Sequence, residues 1–182
     1  MNTDNLKQKI KNSLDKLYKN DTYLFTEDLN ERSITFKLAK YLEEENFGDG
    51  YFVDHEYNRA YSSNGSVGSK KLTSEYGNSV DIVITKRDNN PENDLACFEV
   101  KKINKLRSKK AEKDRAKLMV LSGKMLPHIF ETKEIIKNDD GNYFTFNYDF
   151  SCYIVLGLEK EQTIIEIYQK NMEILRIIYS DL

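Results

Sequence analysis

LACFEVKK, residues 95–102, is the stretch on which the fold turns. It opens as an apolar run of strand length and ends on a glutamate and two lysines. A period of two places Leu95, Cys97, Glu99 and Lys101 on one face. Charges at the end of an otherwise buried strand are costly unless they meet partners, a ligand or a metal. The plainer alternative is a strand that surfaces at residue 99, with Glu99 and Lys101 as an i,i+2 ion pair on a sheet edge. Upstream, RDNNPEND (87–94) carries turn signals throughout, and SVDIVITK (79–86) reads as a second strand. Val80, Ile82 and Ile84 share one face of it, with Asp81, Val83 and Thr85 on the other. Residues 79–101 therefore read as a β-hairpin in which Asp81 and Glu99 can face each other.

Working outward, Leu6, Ile10, Leu14 and Leu17 recur at helical spacing and predict a helix over 4–19. A second helix is expected over about 28–46, with Ile34, Leu38, Tyr41 and Leu42 as its apolar stripe. Glu31 lies on that same inward face, three and seven residues before Ile34 and Leu38. YFVDHEYNRAY (51–61) reads as a strand near a sheet edge, and the Gly- and Ser-rich residues 62–78 as a mobile loop. A helix is expected at about 106–122, where Asp114 and Lys117 look like an i,i+3 surface pair. Residues 124–142 stay ambiguous, with a turn at 138–142. SCYIVLGL (151–158) reads as a fully buried strand and 163–169 as another, while 172–180 stays unsettled. This order predicts an α/β fold, a mixed β-sheet flanked by helices, in a single domain over 1–182.

Composition narrows the function classes. Of the 182 residues, 39% are hydrophobic and 32% charged, as in an ordinary soluble chain that can bury a core. No run of eighteen apolar residues exists, so no membrane partner is expected. A polar N-terminus without a signal-peptide core and two cysteines in apolar runs fit the cytoplasm. The two cysteines and two histidines are too scattered for a structural zinc site. No Gly-rich phosphate loop and no Ser-His or Cys-His pattern argues for a small-molecule enzyme. The net charge of -2 does not announce a nucleic-acid binder, but the basic residues cluster in KKINKLRSKKAEKDRAK (101–117). Lys102, Lys105, Arg107 and Lys109 could meet a phosphate backbone. Equally, the run could be a solvated face neutralised by acids elsewhere.

Four residues carry candidate chemistry: Glu31, Asp81, Glu99 and Lys101. Opposed carboxylates repel, and a divalent cation between Asp81 and Glu99 would reverse that cost. Lys101 projects to the same side, where it could contact a scissile phosphate or an attacking water. Metal-assisted phosphodiester hydrolysis needs such parts. Taken singly, Glu31 is explained by the helix dipole and Asp81 by a strand cap or a salt bridge with Lys101.

Val80-Asp81, eighteen positions before Glu99-Val100-Lys101, resembles the signature of the PD-(D/E)xK nuclease superfamily, with Val80 in place of the proline. VDHEYNR (53–59), SVDIVITKR (79–87), LACFEVKK and EKDRAKL (112–118) are similar, in order, to blocks of small bacterial proteins of that superfamily. The resemblance implies a restriction-endonuclease-like core and a nuclease acting on DNA. Asp81 and Glu99 would bind Mg2+, with Mn2+ as a substitute. Glu31 would join the metal site, and Lys101 would act on the water or the phosphate. Glu56 and Arg59 could support the metal, contact phosphate or pair with each other. A homodimer or larger complex is compatible with cutting both strands. The alternative is a non-catalytic module of the same fold that binds nucleic acid or protein. On the nuclease reading, Lys101→Ala should abolish cleavage while leaving folding and metal binding largely intact.

Overall fold

The computed structural model describes residues 1–56, 59–61, 67–69, 80–88, 90–105, 108–123, 148–169 and 172–182. Helix α1 (Thr3–Asn20) buries Leu6, Ile10, Leu14 and Leu17, and the Asn2 side chain caps its start by accepting from the Asn5 N–H. A single turn, α2 (Tyr23–Thr26), leads to α3 (Glu31–Glu43), capped by Asn30 and buried along Ile34, Leu38 and Leu42. The strands are β1 (Phe52–His55), β2 (Arg59–Tyr61), β3 (Val67–Ser69), β4 (Ile82–Thr85) and β5 (Asp94–Lys102). Helix α4 (Lys109–Leu121) precedes β6 (Phe150–Leu156), β7 (Ile164–Tyr168) and β8 (Leu175–Ile178).

Six strands form one mixed sheet in the order β1-β4-β5-β6-β7-β8, while β2 and β3 pair separately. The expected hairpin is present: β4 runs antiparallel to β5, with Ile82 opposite Phe98 and Val83 opposite Cys97. β5 is parallel to β6, and α4 lies in the connection between them. Being buried on both faces, β5 reads in sequence as a continuous apolar run instead of an alternation. One face of the sheet (Ile82, Ile84, Phe98, Val100, Cys152, Ile154) packs under α1 and α3. The other (Val83, Cys97, Tyr153, Val155) packs under α4 through Ala111, Leu118 and Leu121. The fold is thus α/β, a mixed sheet with helices on both faces, as expected. Among the described residues no helix is long and apolar enough to cross a membrane.

Several local expectations change. Leu95 joins Ile84 and Ala96 in the core under α1 and α3, away from the Glu99 face. A register shift between Ile84 and Thr85 sets Thr85 opposite Asp94, and the extra residue resets the alternation. Val80 belongs to the core under α4, because the chain bends at Asp81 before β4 begins. The expected strand 51–61 divides: β1 sits at the sheet edge, and Arg59–Tyr61 pairs instead with Val67–Ser69, inside the stretch read as a loop. The unsettled tail supplies β8. Residues 124–142, with the turn at 138–142, lie outside the described residues, as does the rest of 62–78.

Candidate functional site

The ladder between β4 and β5 stops at Ile82–Phe98, so Glu99 to Lys102 run on with β6 as their partner strand. Asp81 stands at the corner this leaves. Its Oδ2 accepts from the Val100 N–H at 2.7 Å, a side chain taking over where the ladder ends. Glu31, the first residue of α3, reaches the same corner, and its Oε2 accepts from the Lys102 N–H at 3.4 Å.

The Lys101 ammonium lies at the centre. Its Nζ is 3.4 Å from Glu31 Oε1, 3.4 Å from Glu99 Oε2, 3.4 Å from Asp114 Oδ2 and 3.7 Å from Asp81 Oδ2. It also donates to the Val100 carbonyl at 3.1 Å. Lys101 is only 3% exposed and Glu99 only 2%. All four sequence-derived residues are therefore brought together, with the Asp81 and Glu99 carboxylates on the same side of the sheet. They are joined by two that the sequence reading set aside. Asp114 and Lys117 of α4 are no surface pair: both are buried, and the Lys117 ammonium touches Glu99 Oε1. A signal for Asp114 was available. It falls with Ala111, Leu118 and Leu121 at spacings of three and four, on the apolar stripe of α4.

Counted as ionised, these six side chains carry four negative and two positive charges, a formal excess of two negatives. Burial, followed by the Asp81 charge, pushes the Glu99 carboxyl up to about 7; Lys117 opposes the rise, Asp114 adds to it and Lys101 opposes it. Burial would lower the Lys101 ammonium, but Asp81, Glu99, Asp114 and Glu31 outweigh it and hold the group well above its ordinary value. Among the described residues, the buried Glu99 Oε1, Asp114 Oδ2 and Tyr153 hydroxyl make no hydrogen bond of regular geometry, although Glu99 Oε1 meets the Lys117 ammonium and Asp114 Oδ2 lies 3.4 Å from the Lys101 ammonium. Tyr153 lies beside Glu99 in the parallel register.

Hard carboxylate oxygens and a formal excess of two negative charges suit a divalent cation. The present spacing does not: among the described residues no three Asp, Glu, His or Cys side chains converge closely enough to hold a metal ion. The acidic oxygens gather around an ammonium instead.

The basic run is dispersed by the fold. Lys101 and Lys117 are internal. Arg115 donates to Glu166 at 2.7 and 3.2 Å and stacks over the Tyr153 ring. Lys102, on the opposite face from Lys101, is 2.5 Å from Asp28 and lines a cleft of about 290 Å³ with Phe25, Ile103 and Leu158. Lys109 is exposed at the start of α4, and Lys105 stands in the short helical turn Ile103–Lys105. Arg107 lies outside the described residues. The Glu56 carboxylate pairs with Arg32 at 2.6 Å, and the Glu56 N–H donates to the Asp81 carbonyl at 2.8 Å. No protein-family model, no curated protein and no solved structure matches this chain.

Proposed function

We propose that the chain is a metal-dependent nuclease hydrolysing phosphodiester bonds in DNA, with a core of the restriction-endonuclease-like, PD-(D/E)xK type. The observation that carries this reading is the convergence of Glu31, Asp81 and Glu99 on the Lys101 ammonium at the free end of β5. Asp81, Glu99 and Glu31 would hold Mg2+, or Mn2+ in its place. When bound, such an ion would supply Lewis-acid stabilisation of phosphate charge and a water of lowered pKa. Lys101, sharing its carboxylates with a second cation, would turn its ammonium to a phosphate oxygen or to the attacking water. Val100 holds Asp81 in place through its N–H, so one ligand is oriented by backbone instead of by a mobile partner. Lys109 offers an exposed charge to the phosphate backbone, and the basic run in the sequence adds Lys102, Lys105 and Arg107 as further candidates for that contact. A homodimer or larger complex would allow both strands to be cut.

One observation favours a second reading, a non-catalytic module of the same fold that binds nucleic acid or protein. The Lys101 ammonium already fills the position among the acids, as in a purely structural buried network. Cleavage of single- and double-stranded DNA with Mg2+ or Mn2+, with Asp81→Asn in parallel, separates the two. Metal-dependent cleavage lost in the variant supports the nuclease. DNA binding by both proteins without cleavage by either supports the module.

A further inference from the structure

We propose that the cleft at the ends of β5 and β6 seats one unpaired base of a DNA strand, with the Lys102 ammonium on a phosphate of that strand, so that the substrate is single-stranded or locally unpaired DNA. This rests on the reading that the chain is a nuclease acting on DNA.

Strands β5 and β6 are parallel and end side by side, with Lys102 opposite Leu156. In open α/β sheets the crevice beyond such carboxyl ends is where ligands are held. Here that crevice is a cleft of about 290 Å³, at the small end of the range for ligand pockets, which suits a single base. Its walls are fixed in advance. The Phe25 ring is stacked on Tyr18 at 4.6 Å, and the Tyr18 hydroxyl donates to the Gly157 carbonyl at 3.0 Å. Ile103 and Leu158 also line the cleft while staying 37% and 64% exposed, so apolar surface faces whatever enters. Apolar walls recognise a base by its flat faces. In a duplex those faces are covered by the neighbouring bases, so only an unstacked base can enter. The charge in the cleft fits the same guest. The Lys102 side chain is 14% exposed, and its partner Asp28 is 79% exposed. An ion pair with so exposed an acid is weak, and a phosphate can take its place. Asp28 stands between α2 and α3 with a φ of 48°, a conformation that Asp and Asn adopt more readily than most residues. One residue joins the cleft to the acidic cluster: the Lys102 N–H donates to Glu31 at 3.4 Å, and Lys101 precedes it in the chain. A strand whose base is seated here passes the free end of β5, where the carboxylates gather.

The test is fluorescence anisotropy in EDTA with a short labelled oligothymidine strand and with its duplex. The proteins are the wild type, Lys102→Gln, Leu158→Ala and Asp28→Asn, the last two at exposed positions where the fold tolerates change. The wild type should bind the single strand about tenfold more tightly than the duplex. Leu158→Ala should weaken single-strand binding about fivefold and leave the duplex alone. Lys102→Gln should weaken it about tenfold and lower the salt slope by about one. Asp28→Asn removes the competing carboxylate and keeps the turn, so it should tighten binding about threefold, the opposite of a structural loss. Equal wild-type affinity for strand and duplex, or Leu158→Ala binding as the wild type does, would overturn the cleft as a base site. Thymidine monophosphate binding as tightly as the strand would overturn the strand as its occupant. Cleavage of both DNAs with Mg2+ separates this proposal from the reading beneath it. If the wild type cuts DNA and Leu158→Ala and Lys102→Gln cut the single strand equally fast, the cleft alone fails. A wild type that neither binds nor cuts DNA removes the nuclease reading and the cleft with it.

Discussion

Replacing Lys101 by methionine keeps much of the side chain's length and removes its charge. Each carboxylate oxygen at 3.4 Å attracts the ammonium by about 5 kcal/mol at an effective dielectric constant of about 20. Much of that gross attraction is spent on desolvating the lysine. What survives is the cost of stripping a buried network of one partner, about 3–5 kcal/mol. The expectation that Lys101→Ala leaves folding largely intact therefore does not hold for a lysine so enclosed. For a chain of this size the loss lowers Tm by about 10 °C. The loss also depends on pH. Glu99 has a folded pKa of about 7, above its ordinary 4.5, so the fold holds a proton that the unfolded chain releases. Its contribution is fully present below 4.5 and is lost as pH rises to about 7. In the variant the missing ammonium raises Glu99 further, so the loss continues above pH 7 while that of the wild type tails off. The cost of Lys101→Met should thus grow by up to about 1 kcal/mol between pH 7 and pH 8. Urea unfolding followed by circular dichroism, in EDTA at both pH values, reads this directly. A cost under about 1 kcal/mol, or one equal at the two pH values, would show that the ammonium does not neutralise these carboxylates.

Three other outcomes are expected. In EDTA, the stability difference between wild type and Glu99→Gln should drift by about 3 kcal/mol in favour of the variant from pH 4.5 to pH 7, as read by urea unfolding; a flat difference contradicts the raised carboxyl. Asp81→Asn keeps an oxygen for the Val100 N–H and loses only the charge, so it should cost less than about 1 kcal/mol of stability while weakening Mg2+ binding and cleavage together; calorimetric titration and a cleavage assay check both. Glu166→Gln deprives the Arg115 guanidinium of its buried charge partner and weakens an acceptor for the Tyr168 hydroxyl, which should cost about 3 kcal/mol in thermal unfolding.

The sheet was legible in sequence because its central strands are buried on both faces and so read as apolar runs, and because RDNNPEND marks the hairpin between two of them. Faces were less legible than strands. A single shifted register at Ile84 and Thr85 sends Leu95 to the opposite core, and no periodicity announces such a bulge. The motif residues were legible because each interrupts an apolar pattern: Asp81 and Glu99 in strands, and Glu31 on a helix stripe. Asp114 interrupts a pattern too, on the stripe of Ala111, Leu118 and Leu121, but α4 is so crowded with charge that one more acid looks like surface. The basic run misled for a related reason, since consecutive lysines on a strand point to opposite faces. Lys101 and Lys102 accordingly end in a buried acidic cluster and beside Asp28.

That separation bears on how the protein would work. Charges on the surface are worth little singly and are screened by salt, whereas Glu99, Lys101, Asp114 and Lys117 are buried, where screening is weak. The cluster carries more acid than base, and in the absence of a cation Glu99 tends to hold a proton. On the proposed reading, a divalent ion would compete with that proton and with the two ammonium groups for the same oxygens. Metal binding should therefore release protons below about pH 7, and metal affinity should rise with pH up to that point. Calorimetric titration in buffers of different ionisation enthalpy counts those protons. Proton release at pH 6 that vanishes at pH 8, and vanishes in Glu99→Gln at both, would tie the cation to this cluster; release independent of Glu99 would place any bound metal elsewhere.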